Sequence, residues 1–226
     1  MAEALRILHL DERVVVVDKP PGLLVHRTRS GSGEEALLQR LRDQLGRRVH
    51  PVQRLDRMAS GLLAYGLDSR AARDLQAGLQ ALDACKEYLV LARGVCPPEF
   101  ESHAPLVDDK GIVRAARSEF TRLAVYPAVR ASLLRARIHT GRTHQIRRHL
   151  ALPAHHVLGD TRYGKARANR DLARRYGLAR LFLHAWRLDI QRPSGGRLTV
   201  TAPLAPDLRA VLEGLSVAVG TLPAEL

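Results

Sequence analysis

Cysteine is scarce: Cys85 and Cys96 are the only two. Neither has a second Cys or a His at Cys-x-x-Cys or zinc-ligand spacing, so neither a disulfide framework nor a structural zinc is expected. Both thiols read as reduced, with one or both partly buried as a small hydrophobe. No apolar run approaches the roughly 20 residues that cross a bilayer as a helix. Met1–Leu10, with Glu3 and Arg6 and no long apolar core, does not read as a signal peptide. The expected location is therefore the cytoplasm. Internal repeats and low-complexity linkers are also lacking, and residues 1–226 suffice for one large domain or two small ones. That length is ample for a core, and 46% hydrophobic residues mark a globular rather than a disordered chain. Acid is in short supply: 36 Lys and Arg face 23 Asp and Glu, leaving +13. Lysine is rarer still, with four in the chain. A GC-rich coding bias accounts for Arg over Lys, but not for base over acid. The excess points to a polyanion, nucleic acid first. No basic amphipathic helix with an aromatic face stands out to suggest a membrane surface.

Periodicity sketches the elements. Leu5–Leu10 and Arg13–Asp18 alternate like strands, and Lys19-Pro20-Pro21-Gly22 breaks the second one. Glu34–Leu45 and Ser69–Leu82 have helical spacing, the latter with Ala71, Leu75, Leu79 and Leu82 on one side. Strands are expected at Glu87–Ala92, Ser118–Ala124 and Ala131–Ile138, and a helix at Thr143–Leu150. Strand pieces follow at Leu181–Leu183, Leu188–Ile190 and Arg197–Thr201, then a helix near Asp207–Leu215. Helices and strands intermingle without a βαβ repeat, which predicts an α+β fold with a mixed or mostly antiparallel sheet. Thr161–Arg180 stands apart, with seven basic residues (Arg162, Lys165, Arg167, Arg170, Arg174, Arg175, Arg180) and one acid, Asp171. A solvated helix face is the plain reading. A phosphate-tracking surface fits better, because arginines on several helical faces serve packing poorly.

Three stretches are dense in polar and small residues. In Gln53-Arg54-Leu55-Asp56-Arg57-Met58-Ala59-Ser60-Gly61 an acid sits between two arginines, whose charge should keep Asp56 ionised. Taken alone, such a triplet is more often a surface ion pair. Arg137 to His149 ends a strand at Thr140-Gly141 and opens a base-laden helix, whose free N–H groups and dipole suit an anion. Lys86-Glu87-Tyr88 opens another strand. His139, His144, His149, His155 and His156 resemble a metal set on paper. Only His144 and His149 share a stretch, and i,i+5 is poor spacing for two ligands on one helix face, so no metal is expected. Ser60 lacks a histidine–acid pattern and is expected to cap the segment that follows. Trp186 is expected in the core at a sheet edge. For Lys19, contact with nucleic acid and a purely structural role both stay open.

Together these stretches resemble the RluA/TruC family of pseudouridine synthases, from Leu8 to about Leu208. The resemblance is carried by Asp18-Lys19-Pro20-Pro21-Gly22-Leu23-Leu24-Val25-His26, by Gln53 to Gly61, and by Lys86 with Tyr88. It continues in Thr140-Gly141-Arg142-Thr143-His144-Gln145-Ile146-Arg147, in Gly159-Asp160-x-x-Tyr163-Gly164 and in Leu183-His184-Ala185. Any one motif is weak; the ordered set is specific. Gln53 stands where the family usually has histidine, and Ala59 where threonine is usual. Neither is the catalytic position.

The resemblance implies the pseudouridine synthase fold. That fold is α+β, with a mixed, mostly antiparallel central sheet, flanking helices and a catalytic cleft. It implies one catalytic domain of two packed halves, with 161–180 as a basic insertion. By the same resemblance Asp56 is the essential carboxylate, Tyr88 the active-site tyrosine, and Arg147 the base that pairs with Asp56 within salt-bridge reach. Arg54 fills the space left when the target base leaves the stack. Arg57, Lys86, Arg142, His144, Arg162 and Lys165 complete the expected RNA contacts. The isomerisation needs no redox change and no external energy, so no cofactor is expected. The expected partner is RNA, tRNA first, met by a monomer without a membrane or a metal.

The N-terminal S4 module that many such enzymes carry is expected to be absent, because the catalytic region starts within ten residues. The short TruC type shares a start like Leu5-Arg6-Ile7-Leu8 and an insertion ending like Tyr176-Gly177-Leu178-Ala179-Arg180-Leu181. Those enzymes modify uridine 65 in the T-arm stem of tRNA, which makes that uridine the expected target. A ribosomal-RNA or dual-specificity member is the alternative, and an RNA-binding protein on a decayed scaffold a distant one.

Overall fold

The computed structural model describes residues 4–25, 36–192 and 194–216. His26 of the first motif, and Glu34 at the expected start of a helix, lie outside them. In chain order the strands are β1 (Arg6–Leu10), β2 (Val14–Lys19), β3 (His50–Pro51), β4 (Ser60–Gly66), β5 (Cys85–Arg93) and β6 (Glu99–Ser102). They continue as β7 (Leu106–Val107), β8 (Val113–Arg114), β9 (Ser118–Tyr126), β10 (Ala131–Ile138), β11 (Leu183–Gln191) and β12 (Arg197–Thr201). The helices are α1 (Leu37–Leu45), α2 (Ser69–Gln80), α3 (Gln145–Ala151), α4 (Ala166–Tyr176) and α5 (Pro206–Ser216). The expected α+β class is met, with mostly antiparallel ladders. The chain divides into two compact units: Met1–Cys85 with Ala185–Ala202, and Lys86–His184 with Pro203–Leu226.

In the first unit β1 pairs β2, β2 and β3 pair β4, and β11 pairs β12, all antiparallel. All four valines of Val14–Val17 are buried, as expected of a β-branched run in a strand covered on both faces. Leu37 and Leu41 of α1 join Val15, Val17, Leu63 and Tyr65 in one core cluster. α2 starts where the Asp68 side chain accepts a hydrogen bond from Ala71 N at 2.7 Å. It buries Ala71, Leu75 and Leu79. Leu82, expected on that side, is 97% exposed, because the helix ends at Gln80 and Ala81 turns to extended backbone. The two strand pieces expected around residues 181–190 are one strand, β11. Half-buried Trp186 and exposed Arg187 interrupt its apolar pattern, so Trp186 is not a core residue.

In the second unit β5, β10, β9 and β6 form an antiparallel series in that order, with β7 and β8 as a separate hairpin. Phe100 and Phe120 lie opposite each other on β6 and β9, and their rings stack at 4.7 Å. α4 is anchored by buried Leu172. It stops at Gly177, whose left-handed backbone lets Gly177 N and Leu178 N donate to Ala173 O and Leu172 O. α5 buries Leu208, Val211, Leu212 and Leu215. Cys96 is buried and Cys85 half-buried, and neither is in a disulfide.

Candidate active site

In the first unit Asp56 lies on the loop between β3 and β4, and that loop is fastened from below. Lys19 is fully buried, and its Nζ donates to Pro20 O at 2.8 Å, Leu23 O at 3.0 Å and Arg57 O at 3.0 Å. Gly22 N donates to Arg57 O at 2.8 Å, and Arg57 Nε returns a bond to Gly22 O at 2.9 Å. The Lys-Pro-Pro-Gly turn is thus a clasp on the Asp56 loop, and Lys19 is structural rather than an RNA contact. Within the loop Ala59 N closes a turn onto Asp56 O at 3.0 Å. Gly61 then brings the chain against Ala185: with φ +103°, an added Cβ would sit 2.2 Å from Ala185 O. Asp56 is half-buried, while Arg54 and Arg57 are exposed beside it. Ser60 is buried at the start of β4, so no helix follows for it to cap.

In the second unit Lys86 and Tyr88 stand on the half-exposed first stretch of β5, Tyr88 opposite Ala136. Burial pushes the Lys86 ammonium below its ordinary range. Arg147, on α3, is buried. Its Nε and Nη2 donate to the two carboxylate oxygens of Asp160 at 2.8 and 2.9 Å, a bidentate pair. Asp160 Oδ1 also accepts from Arg162 N at 2.8 Å and Tyr163 N at 3.0 Å. Burial alone would raise the Asp160 pKa, but the Arg147 guanidinium and the two backbone donors hold it below the ordinary value.

The Tyr163 ring lies 5.1 Å from the Arg147 guanidinium and 5.4 Å from that of Arg162. Its hydroxyl meets His144 Nδ1 at 3.1 Å. His144 sits in left-handed backbone, φ +54°, just ahead of α3, a strained position of the kind that gathers at functional sites. Gln145 welds this turn: its Oε1 accepts from Thr140 Oγ1 at 2.7 Å and Arg142 N at 3.0 Å, and its Nε2 donates to Arg117 O at 2.8 Å. Arg142 is exposed, with Nε donating to Ala115 O at 3.0 Å. His149 is buried between Ser118 Oγ at 2.9 Å and Ala104 O at 3.0 Å, a structural role.

The expected site residues therefore fall into three sets. Arg54, Asp56 and Arg57 share one fastened loop; Lys86 and Tyr88 share β5; His144, Arg147 and Arg162 converge on Tyr163. Lys165 is exposed just before α4. Arg180, counted among the phosphate-tracking bases, is only 5% exposed and pairs Asp207 through Nε at 2.6 Å and Nη2 at 2.8 Å, so it packs instead. Asp160, Tyr163 and Gln145 have roles that the motifs alone did not assign. A signal for Asp160 was present, since it lies between two glycines that tolerate no side chain. A Cβ at Gly159 would meet Arg180 O at 1.9 Å, and one at Gly164 would meet Asp160 O at 2.2 Å.

The RNA pseudouridylate synthase family model matches residues 13–152. The tRNA pseudouridine synthase C of Pasteurella multocida is 38% identical over 84% of this chain and 86% of its own. That of Haemophilus influenzae is 35% identical over 88% and 93%. Among solved structures, human RNA Pseudouridylate Synthase Domain Containing 4 superposes with TM-score 0.74 at 23% identity, covering 93% of this chain and 92% of that one. Human RNA Pseudouridylate Synthase Domain Containing 1 gives 0.73 at 24%, covering 97% and 96%.

Proposed function

This chain belongs to the RNA pseudouridylate synthase family and isomerises uridine to pseudouridine, and on that premise we propose that its substrate is tRNA and its target uridine 65 of the T-arm stem. The observation that carries the tRNA reading is the match, over most of both chains, to relatives named tRNA pseudouridine synthase C. The two units work as one catalytic domain, in the cytoplasm and as a monomer.

A uridine stacked in a stem is out of reach, so it is flipped out, at a cost of a few kcal/mol. Arg54, exposed on the Asp56 loop, enters the vacated space and offsets part of that cost by stacking and phosphate contact. The N1–C1′ bond breaks, the uracil rotates and C5 joins C1′; the C5 proton leaves and N1 regains one. Asp56 acts at the sugar as an ionised carboxylate, as nucleophile on C1′ or as base at C2′. Arg147 keeps that carboxylate charged once RNA has excluded water. Tyr88 stacks on the flipped base and helps to move the C5 proton. Arg57, Lys86, Arg142, His144, Arg162 and Lys165 hold the surrounding RNA. The clasp around Lys19 supports this reading, because a reacting carboxylate needs a loop that does not drift.

The test is pseudouridine mapping by carbodiimide and primer extension. Unmodified tRNA and ribosomal RNA are treated with wild type or with Asp56→Asn. One wild-type stop at uridine 65, missing from the variant, is the expected result. Stops elsewhere would move the assignment to another RNA or another uridine. No stop on any RNA, with the protein folded, would leave only a binding protein.

A further inference from the structure

α4 and the end of β5 enclose an open groove of about 970 Å3, wholly within the second unit. Arg93, Lys165, Arg167, Arg170 and Arg174 line it, against the single carboxylate of Asp171. All five cations are exposed. Arg167, Arg170 and Arg174 follow i, i+3, i+7 spacing, so they stand on one face of α4 and span about 10 Å at roughly 1.5 Å per residue. Asp171 is shared by Arg174 at 3.4 Å and Arg175 at 3.3 Å, and the Arg175 guanidinium also lies 5.1 Å from the Tyr176 ring. Like charges at i,i+4, as in Arg170 and Arg174, weaken a helix, so a merely solvated face would do better with mixed signs. Arg93 lies five residues beyond Tyr88 on β5, about 17 Å away at roughly 3.3 Å per residue. The groove is therefore distinct from the base-handling end of that strand.

It is also held in a fixed relation to the Tyr163 cluster. Asn169 of α4 accepts from Gly159 N at 3.0 Å and donates to Asp160 O at 2.8 Å, and Asp160 grips Arg147. On the other side Arg93 N donates to His156 O at 2.9 Å, and His155 Nδ1 meets Arg93 O at 2.9 Å. The groove is too open to enclose a small anion, and its lining cations match a phosphate series through the planar guanidinium fork.

We infer that this groove is a second RNA subsite, which grips the sugar–phosphate backbone of the folded substrate away from the target base. It rests on the proposed function only in taking RNA as the ligand. It makes affinity depend on the size of the RNA: a full tRNA reaches both the base site and the groove, and an isolated T-arm hairpin reaches mainly the first.

The test measures binding by fluorescence anisotropy for a labelled full-length tRNA transcript and for a labelled T-arm hairpin, across salt, with turnover recorded alongside. In Arg167→Gln/Arg170→Gln/Arg174→Gln, affinity for the full tRNA should fall roughly ten- to fiftyfold and the salt slope by about 2 to 3, while the hairpin should lose no more than about threefold. Asp171→Asn removes the one opposing charge and should tighten binding of the full tRNA about two- to fivefold at low salt, an effect that lost packing would not produce. Equal losses on both RNAs, no loss on the full tRNA, or no tightening by Asp171→Asn would overturn the subsite. Should the triple variant fail a thermal-melt control, Arg93→Gln on β5 takes its place, with the same size-dependent loss required. Wild type that binds both RNAs yet makes no pseudouridine would overturn the activity reading, and the size comparison would still decide the groove.

Discussion

Asp160 has no exposed side-chain surface, and its partner Arg147 keeps only 10% of its own. Such a pair adds little over a well-packed apolar core, but breaking it strands a buried charge. Asp160→Asn keeps an oxygen for Arg162 N and Tyr163 N and removes the charge. It should lower stability by about 3 kcal/mol, read from urea unfolding at neutral pH. The pH dependence has a definite sign. The folded pKa of Asp160 lies below the ordinary 3.8, so its contribution is complete above that value. It is lost as pH falls through the depressed folded value, and the variant should lack that part of the acid limb. The loop that carries Asp56 stands out in the sequence because its polar and small residues are contiguous. The Arg147–Asp160 pair does not: its members are 13 residues apart on α3 and a loop, and only tertiary placement joins them. Tyr163 went unassigned for the same reason, since nothing in its neighbours announces two guanidinium groups against its ring.

Among elements, α2 and α5 were readable because each buries a regular stripe, as Ala71, Leu75 and Leu79 do on α2. α4 was harder, since Leu172 is its only buried residue and an arginine-rich helix has almost no apolar period. β3, β7 and β8 have two residues each, too few to show a period. β4 carries a sharp steric demand. Gly61→Ala combines a left-handed backbone with a Cβ placed 2.2 Å from the Ala185 carbonyl. The substitution should cost about 3 kcal/mol through strain and overpacking. It should also reduce single-turnover rate more than RNA affinity, because the strand begins four residues after Asp56. Urea titration and rapid-quench kinetics on the same preparation would separate the two effects. A stable variant with unaltered turnover would show that the approach to Ala185 is not needed.

Over the whole molecule the charge of +13 sets the terms on which an anionic substrate arrives. At subsaturating tRNA, turnover should fall at least roughly tenfold between 50 and 200 mM salt, through KM, while kcat at saturation changes little. A salt-independent KM would show that the basic surface does not meet phosphate. Composition foretold this much. It could not foretell that residues 185–202 rejoin the first unit, a return that no local pattern encodes. The four lysines also differ in a way that composition conceals. The amine of Lys19 is sealed beneath the Asp56 loop by three carbonyls, whereas Lys110 and Lys165 are exposed. A brief pulse of an amine-acylating reagent, followed by peptide mass spectrometry, should mark those two and spare Lys19. Acylation at Lys19 can then occur only when its clasp on Arg57 lets go, so this one amine is a built-in chemical clock for the opening of the Asp56 loop.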